Sequence, residues 1–308
     1  MATTERFDFS AFDNGVGNSG FGFAHGPGVD LRPQLPETTP DLIGVDLTHR
    51  IDVADVAFAA AAGGASGKPG GGGGGGGGGI SFSPYTTTAS AYNITIEFKG
   101  GSWTQDLHDV FVSAADRLAN LIVGDVQNVN VIMKGGLRLV DDILITAELK
   151  NIDGAGGILG QAGPTSVRTG SYLPATASMQ FDIADAANFF AQGLFDEIVG
   201  HEMIHSVGFG TIWSYLGLVS GTNFIGAKAT AEYNALLGDG SAAGVPLETG
   251  GGSGTAGSHW SEAIFAHELM TGYIDAAPDP LSRMTVASLQ DLGYQVSYSG
   301  PIDGYALA

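Results

Sequence analysis

Residues 201–210 read His-Glu-Met-Ile-His-Ser-Val-Gly-Phe-Gly, and the first five form the pattern HExxH. The surrounding apolar spacing predicts a helix over about 194–207, and Gly208 predicts its end because glycine readily adopts the left-handed conformation. Residues four apart lie on one helical face, so His201 and His205 can bind one tetrahedral zinc ion. Glu202 lies beside that face and is placed to act as a general base. The plainer alternative is two surface histidines on an acidic helix.

Two histidines leave such a site incomplete, because a catalytic zinc takes three protein ligands and one open position. The compact pattern HExxHxxGxxH would place the third ligand at position 211, which is a threonine in this chain. Two histidines, His259 and His267, lie downstream of the predicted helix. From spacing alone both are candidates for the third ligand.

Two segments carry a resemblance to a known family. HEMIHSVGFGTIW (201–213) and GTAGSHWSEAIFAHELMTGYI (254–274) are similar to the metzincin clan, and specifically to the leishmanolysin family with its bacterial relatives. The resemblance extends over about residues 80–299. It implies that His259 is the third zinc ligand and that Met270 supports the metal site from a turn, with Gly208 after the helix. It also implies a zinc-dependent endopeptidase that acts on protein or peptide substrates, with Glu202 as general base and acid.

The expected fold class is α+β. Alternating or apolar segments predict strands over 93–98, 129–133, 144–149 and 178–183, and helical spacing predicts helices over 104–123 and 284–292. The resemblance implies a metzincin-like zincin fold: a mixed twisted sheet with the active-site helix, and a C-terminal subdomain that carries the third ligand and the methionine turn. It also implies an antiparallel edge strand that pairs with substrate, for which we select Ser178, Met179, Gln180, Phe181, Asp182 and Ile183.

The chain is predicted to have three parts. Residues 63–79 include ten consecutive glycines, which predict a flexible linker because they bring no side chains to offset the entropy of ordering. Residues 80–308 form the expected catalytic domain, and residues 1–62 are a candidate pro-segment that masks the site. The chain contains no cysteine, so latency through a thiol is excluded.

Composition narrows the function classes. A formal net charge of −20 excludes nucleic-acid binding, and no apolar stretch is long enough to predict insertion into a membrane. The N-terminal residues lack the pattern of a Sec signal, so we expect secretion by another route. Calcium is a second candidate ion, with acidic loop residues Asp141, Asp142, Asp275 and Asp279 as its ligands, although solvated loop acids are the simpler interpretation.

Two other function classes stay open at this stage. One is a non-enzymatic extracellular binding or surface protein that retains a metzincin scaffold, since a fold does not fix a function. The other is a zinc hydrolase of a non-peptide amide. Glu197 is interpreted as an acid favoured by the helix dipole, and His267 and Glu268 as structural residues. The oligomeric state is not predicted.

Overall fold

The fold is built on a seven-stranded mixed sheet, seen in a computed structural model that describes residues 42–44, 49–52, 80–156, 158–251, 254–273 and 278–307. All of these residues lie in one compact unit, Pro40–Ala308. The strands of this sheet are β1 (Leu42–Gly44), β2 (His49–Asp52), β3 (Tyr85–Thr86), β4 (Ile94–Lys99), β7 (Ile143–Lys150), β8 (Ile158–Arg168) and β9 (Pro174–Asp182). A separate hairpin is formed by β5 (Val129–Met133) and β6 (Gly136–Val140).

The strand order is β1–β8–β9–β7–β4–β3, and β2 also pairs with β8. Strands β4, β7 and β9 run parallel, whereas β8 runs antiparallel to β9. The strands predicted over 93–98, 129–133 and 144–149 are confirmed within two residues at each end. The fold is therefore α+β with a mixed sheet, as expected.

The prediction that Ser178–Ile183 is an edge strand is wrong. Residues 174–182 form β9, which has β8 on one side and β7 on the other, so neither of its edges can accept a further strand. Ile183 already belongs to the following helix, for which Asp182 is the N-cap. The antiparallel strand next to β9 is β8, whose own outer edge pairs with β1 and β2.

The described part of the chain also contains six helices: α1 (Gln105–Ala119), α2 (Ile183–Gln192), α3 (Phe195–Ser206), α4 (Ala227–Leu237), α5 (Glu262–Phe265) and α6 (Arg283–Leu292). Helix α1 begins at the N-cap Thr104 and buries Leu107, Phe111 and Leu118. It ends four residues before the predicted position because Ile122 forms a β-bridge with Val296 instead. Helices α1 and α3 pack against each other under the sheet, where Phe111 contacts Phe195 and Phe181 of β9.

The C-terminal half contains a small antiparallel sheet and the last helix. The sheet comprises β10 (Val219–Ser220), β11 (Asn223–Phe224) and β12 (Val245–Pro246). Helix α6 confirms its predicted N-cap, because the Thr285 amide donates to Ser282 Oγ, and it ends at Gly293 with φ of +112°. None of the described helices is both long and apolar enough to span a bilayer.

Most of the predicted N-terminal region and the whole glycine-rich linker lie outside the described residues. The two described pieces of that region, β1 and β2, both extend the sheet beyond β8. The three-part domain division stays a prediction.

Candidate metal centre

Helix α3 is buried on nearly all sides. Phe195, Ile198 and Val199 belong to the hydrophobic core, and His201 and His205 are also buried. A helix that is buried all round is typical of the interior of a larger domain rather than its surface. The burial excludes the interpretation of His201 and His205 as surface histidines.

Three histidines converge on one point. The Nε2 atoms of His201 and His205 are 2.9 Å apart, those of His205 and His259 are 3.0 Å apart, and those of His201 and His259 are 3.1 Å apart. Each of the three side chains is no more than 1% exposed. Within the described residues these three histidines form a group whose ligand atoms are close enough to hold one metal ion.

The other nitrogen of each ring faces a backbone carbonyl oxygen. His201 Nδ1 lies 2.6 Å from the oxygen of Leu269, and His205 Nδ1 lies 2.9 Å from that of Phe209. His259 Nδ1 lies 3.0 Å from the oxygen of Thr255. A carbonyl can only accept, so each ring carries its proton on Nδ1 and turns an Nε2 lone pair toward the common point.

This donor set fits a zinc ion. Zinc–nitrogen bonds are about 2.0–2.1 Å long, so in tetrahedral geometry two ligand nitrogens lie about 3.3 Å apart. The observed Nε2–Nε2 distances are slightly shorter than this. Burial, followed by the neighbouring His259, lowers the pKa of His201 to about 3, although its bond to Leu269 acts in the opposite direction. His201 is therefore neutral at physiological pH, as metal ligation requires.

Glu202 lies next to the first histidine and is also fully buried. Burial raises the pKa of its carboxyl group well above the ordinary value. A carboxylate in such a position binds a proton more readily than one in water, which is the property that a general base requires. In the same helical turn, Ser206 Oγ donates to the Glu202 carbonyl oxygen.

The loop that carries His259 is fixed by aromatic packing and by a close backbone approach. Trp260 stacks on Trp213, with ring centroids 5.2 Å apart, and meets Phe209 edge to face. Gly210 has φ of +69°, and a Cβ atom there would collide with the carbonyl oxygen of Ser258. A glycine after the helix thus lets the ligand loop approach α3.

The segment that contains Met270 runs beside the His259 loop. The Trp260 amide donates to the Met270 carbonyl oxygen at 3.0 Å, and Trp260 forms a parallel β-bridge with Thr271. Met270 is fully buried, and Leu269 before it accepts the bond from His201. The structure therefore brings together His201, Glu202, His205, His259 and the backbone around Met270.

Other candidate residues lie elsewhere. His267 is not in the three-histidine group; its ring lies 6.2 Å from that of Tyr305 and lines a separate cavity of about 490 Å³. Gly208 lies just past the end of α3 with φ of +109°. Glu197 accepts a bond from the Asp279 amide. None of these residues belongs to the histidine cluster.

The structure gives no support to the calcium prediction. Asp125, Asp141 and Asp142 lie close together, but Asp142 already accepts bonds from the amides of Asn93 and Val126 at 2.6 and 2.7 Å. These bonds give the buried carboxyl group a structural role. Asp275 lies outside the described residues.

Sequence reasoning missed the groups that orient the ligands. The carbonyl oxygens of Leu269, Phe209 and Thr255 have no residue-type signal, because every residue carries a carbonyl. Glu268 was assigned only a structural role, yet its carboxylate bonds to the backbone of Met270. The one feature of the sequence that could have indicated this role is its position two residues before Met270.

A buried three-histidine centre on an HExxH helix, with a glutamate beside the first ligand, defines a class of metal-dependent hydrolases. Residues 156–301 match the sequence model of the peptidase family M8, leishmanolysin, so this stretch of the chain is similar to the leishmanolysin family. A leishmanolysin-like peptidase of Drosophila melanogaster is 38% identical over 73 residues. That match covers 23% of this chain and 10% of the length of the relative.

Proposed function

We propose that the protein is a zinc-dependent endopeptidase. The observation that carries the proposal is the convergence of three imidazole Nε2 atoms, each on a ring whose Nδ1 faces a backbone carbonyl oxygen. The match to a peptidase family supports the reaction class, and that family is zinc-dependent. We further propose that the fold is metzincin-like, with His259 and Met270 contributed by a C-terminal subdomain.

His201, His205 and His259 would hold the ion through their Nε2 atoms. A zinc ion there would supply a Lewis acid for the scissile carbonyl and lower the pKa of a coordinated water toward about 7. Glu202 would take the proton of the attacking water and then pass it to the leaving amine. Its buried carboxyl group, with a raised pKa, suits both transfers.

We also propose that the N-terminal region is an inhibitory pro-segment. Strands β1 and β2 both pair antiparallel with the outer edge of β8, which packs on the helix that carries His201. The described site residues are at most 1% exposed, which is consistent with a closed site. Extended peptides bind to proteins by adding a strand to an open sheet edge, and displacement of β1 and β2 would open this one.

We propose that the protein acts outside the cell. An active endopeptidase in the cytoplasm would be hazardous, and the strongly acidic composition suits a solvated secreted protein. The export route and the natural substrate are left open by this proposal.

The deciding experiment measures zinc content and casein hydrolysis together. The comparison includes wild type, Glu202→Ala and Glu197→Gln, which is the matched control on the same helix. Each is prepared with β2 intact and in an Ile51→Pro background that weakens β2. All are assayed with and without a chelator. Without chelator we expect one zinc per chain in all variants. Hydrolysis should be slow while β2 is intact and faster in the Ile51→Pro background, where Glu202→Ala and chelation abolish it and Glu197→Gln does not. Absence of zinc would contradict the metal site.

The same variants, assayed in addition on small amide substrates, separate the two rival functions. Zinc without casein hydrolysis, even in the Ile51→Pro background, would favour the non-enzymatic binding protein. Release of amines from small amide substrates, without peptide cleavage, would favour the hydrolase of non-peptide amides. Full activity of Glu202→Ala would contradict the role assigned to that residue.

A further inference from the structure

Glu268 is a fully buried carboxylate that accepts four hydrogen bonds from two separate segments. Its Oε2 accepts from the Met270 amide at 2.6 Å. Its Oε1 accepts from the Ser282 amide at 3.1 Å, from Ser282 Oγ at 2.6 Å and from Thr285 Oγ1 at 2.6 Å. One side chain therefore joins the turn that contains Met270 to the first turn of α6.

This network reaches the ligand His259 by two routes. Thr285 Oγ1, which donates to Glu268, also accepts from the indole Nε1 of Trp260 at 2.8 Å. The Trp260 backbone amide donates to the carbonyl oxygen of Met270, whose own amide donates to Glu268. Both the ring and the backbone of the residue after His259 are thus anchored on groups that Glu268 holds.

The network also reaches the ligand His201. Leu269, the residue between Glu268 and Met270, presents the carbonyl oxygen that accepts from His201 Nδ1. The third ligand, His205, is independent, because its partner is Phe209 just past the end of its own helix. Two of the three ligands therefore depend on a segment whose position Glu268 fixes.

We propose that Glu268 is a positioning residue of the metal centre, which sets the placement of His259 and the orientation of His201 through Met270, Leu269 and Thr285. The inference rests on the proposed zinc site but goes beyond the residues that would touch the ion. Groups that orient metal ligands typically change metal affinity by about 10–100-fold when they are altered. A carboxylate is required because an amide can accept at only one of its two polar atoms.

The test compares Glu268→Gln with Asp182→Asn. Asp182 is the matched control, since it is also fully buried and accepts four bonds, from the amides of Ile152, Asp153, Gly154 and Ala184. Asp182 is the last residue of β9 and the N-cap of α2, and its four donors all lie outside the loops that carry the metal ligands. Both changes are isosteric, and both remove acceptor capacity from a buried carboxylate.

Two measurements distinguish positioning from general stabilisation: the visible absorption spectrum of the cobalt-substituted full chain, and the rate of zinc release to a chelator. We expect Glu268→Gln to shift the cobalt spectrum and to release zinc at least about tenfold faster. Asp182→Asn should lower the melting temperature comparably and leave both metal readouts at the wild-type values. Unchanged metal readouts in Glu268→Gln, or equal changes in the two variants, would overturn the inference.

A second variant covers the case in which Glu268→Gln does not fold. Thr285→Val keeps the shape of the side chain but removes the hydroxyl between Glu268 and Trp260, and should change both metal readouts in the same direction by a smaller factor. Wild-type readouts in Thr285→Val would then overturn the inference. Neither measurement requires proteolysis, so a wild type that binds metal but cleaves nothing contradicts only the proposed function. A wild type that binds no metal overturns the centre and this role with it.

Discussion

His201 Nδ1 and the carbonyl oxygen of Leu269 lie 2.6 Å apart, a bond that joins the HExxH helix to the residue before Met270. It fixes the tautomer of His201 and, with it, the direction of the Nε2 lone pair. Corresponding bonds orient His205 and His259. The backbone therefore sets the protonation pattern of the ligands independently of the ion, which reduces the reorganisation that metal binding requires.

The choice of the third ligand can be tested by substitution. His259→Ala removes one of three convergent Nε2 atoms and should reduce bound zinc to well below one ion per chain. His267→Ala is the matched control and should keep full zinc, because its ring lies outside the cluster. Elemental analysis after dialysis measures both. Loss of zinc in His267→Ala alone would show that the third ligand is wrongly assigned.

Gly210 and Gly200 should respond in opposite ways to the same substitution. Gly210→Ala places a side chain at φ of +69° and against the Ser258 carbonyl oxygen, next to His259. The left-handed conformation alone costs about 1–2 kcal/mol, and the collision adds to it, so both stability and zinc affinity should fall. Gly200→Ala lies in α3 with open space around its Cβ position and should stabilise the fold by about 0.5–1 kcal/mol. Thermal unfolding and zinc titration measure both effects.

Asp182 should make stability depend on pH. Burial acts to raise the pKa of this carboxyl group, but four backbone amides outweigh it and lower the pKa below the ordinary value. A carboxyl group with a lowered pKa stabilises the folded state at neutral pH, and this contribution is lost as the pH falls through the folded value. At pH 7, Asp182→Asn should therefore have a lower melting temperature than wild type, and its free energy of unfolding should be smaller by about 1–3 kcal/mol. The difference in melting temperature between wild type and Asp182→Asn should narrow below about pH 4. A difference that stays constant with pH would contradict the lowered pKa of Asp182.

The metal-binding helix could be predicted from sequence because its information is local. His201 and His205 are four residues apart, and Gly208 marks the end of the helix, so periodicity and one conformational preference suffice. The choice between His259 and His267 could not be made from spacing, because it depends on the pairing of Trp260 with Met270. The resemblance pointed to His259, the histidine that the structure places in the cluster.

Strand β8 was missed because its glycines and proline are typical of turns. Gly160 has a different role: a Cβ atom there would lie 2.6 Å from the ring of Phe181, so the glycine makes room for a core aromatic residue of the neighbouring strand. Such a role depends on a partner about twenty residues away. The absence of β8 from the prediction led directly to the wrong edge strand over 178–183.

The inhibitory role of the N-terminal strands gives the last prediction. Ile51 pairs with Gly160 of β8, and a proline at position 51 removes the backbone amide and fixes φ, which should weaken β2 without changing the catalytic residues. Ile51→Ala is the matched control, since it keeps the amide and therefore the pairing. Strand edges that lose a partner become open to other extended peptides.

We expect Ile51→Pro to bind a fluorescent peptide hydroxamate at least about tenfold faster than wild type, and Ile51→Ala to match wild type. Zinc content should be equal in all three chains, because β2 carries none of the described metal ligands. Measuring the rate of hydroxamate association separates access to the site from the chemistry of cleavage. Equal association rates in all three, at equal zinc content, would show that β1 and β2 only complete the sheet and do not control access.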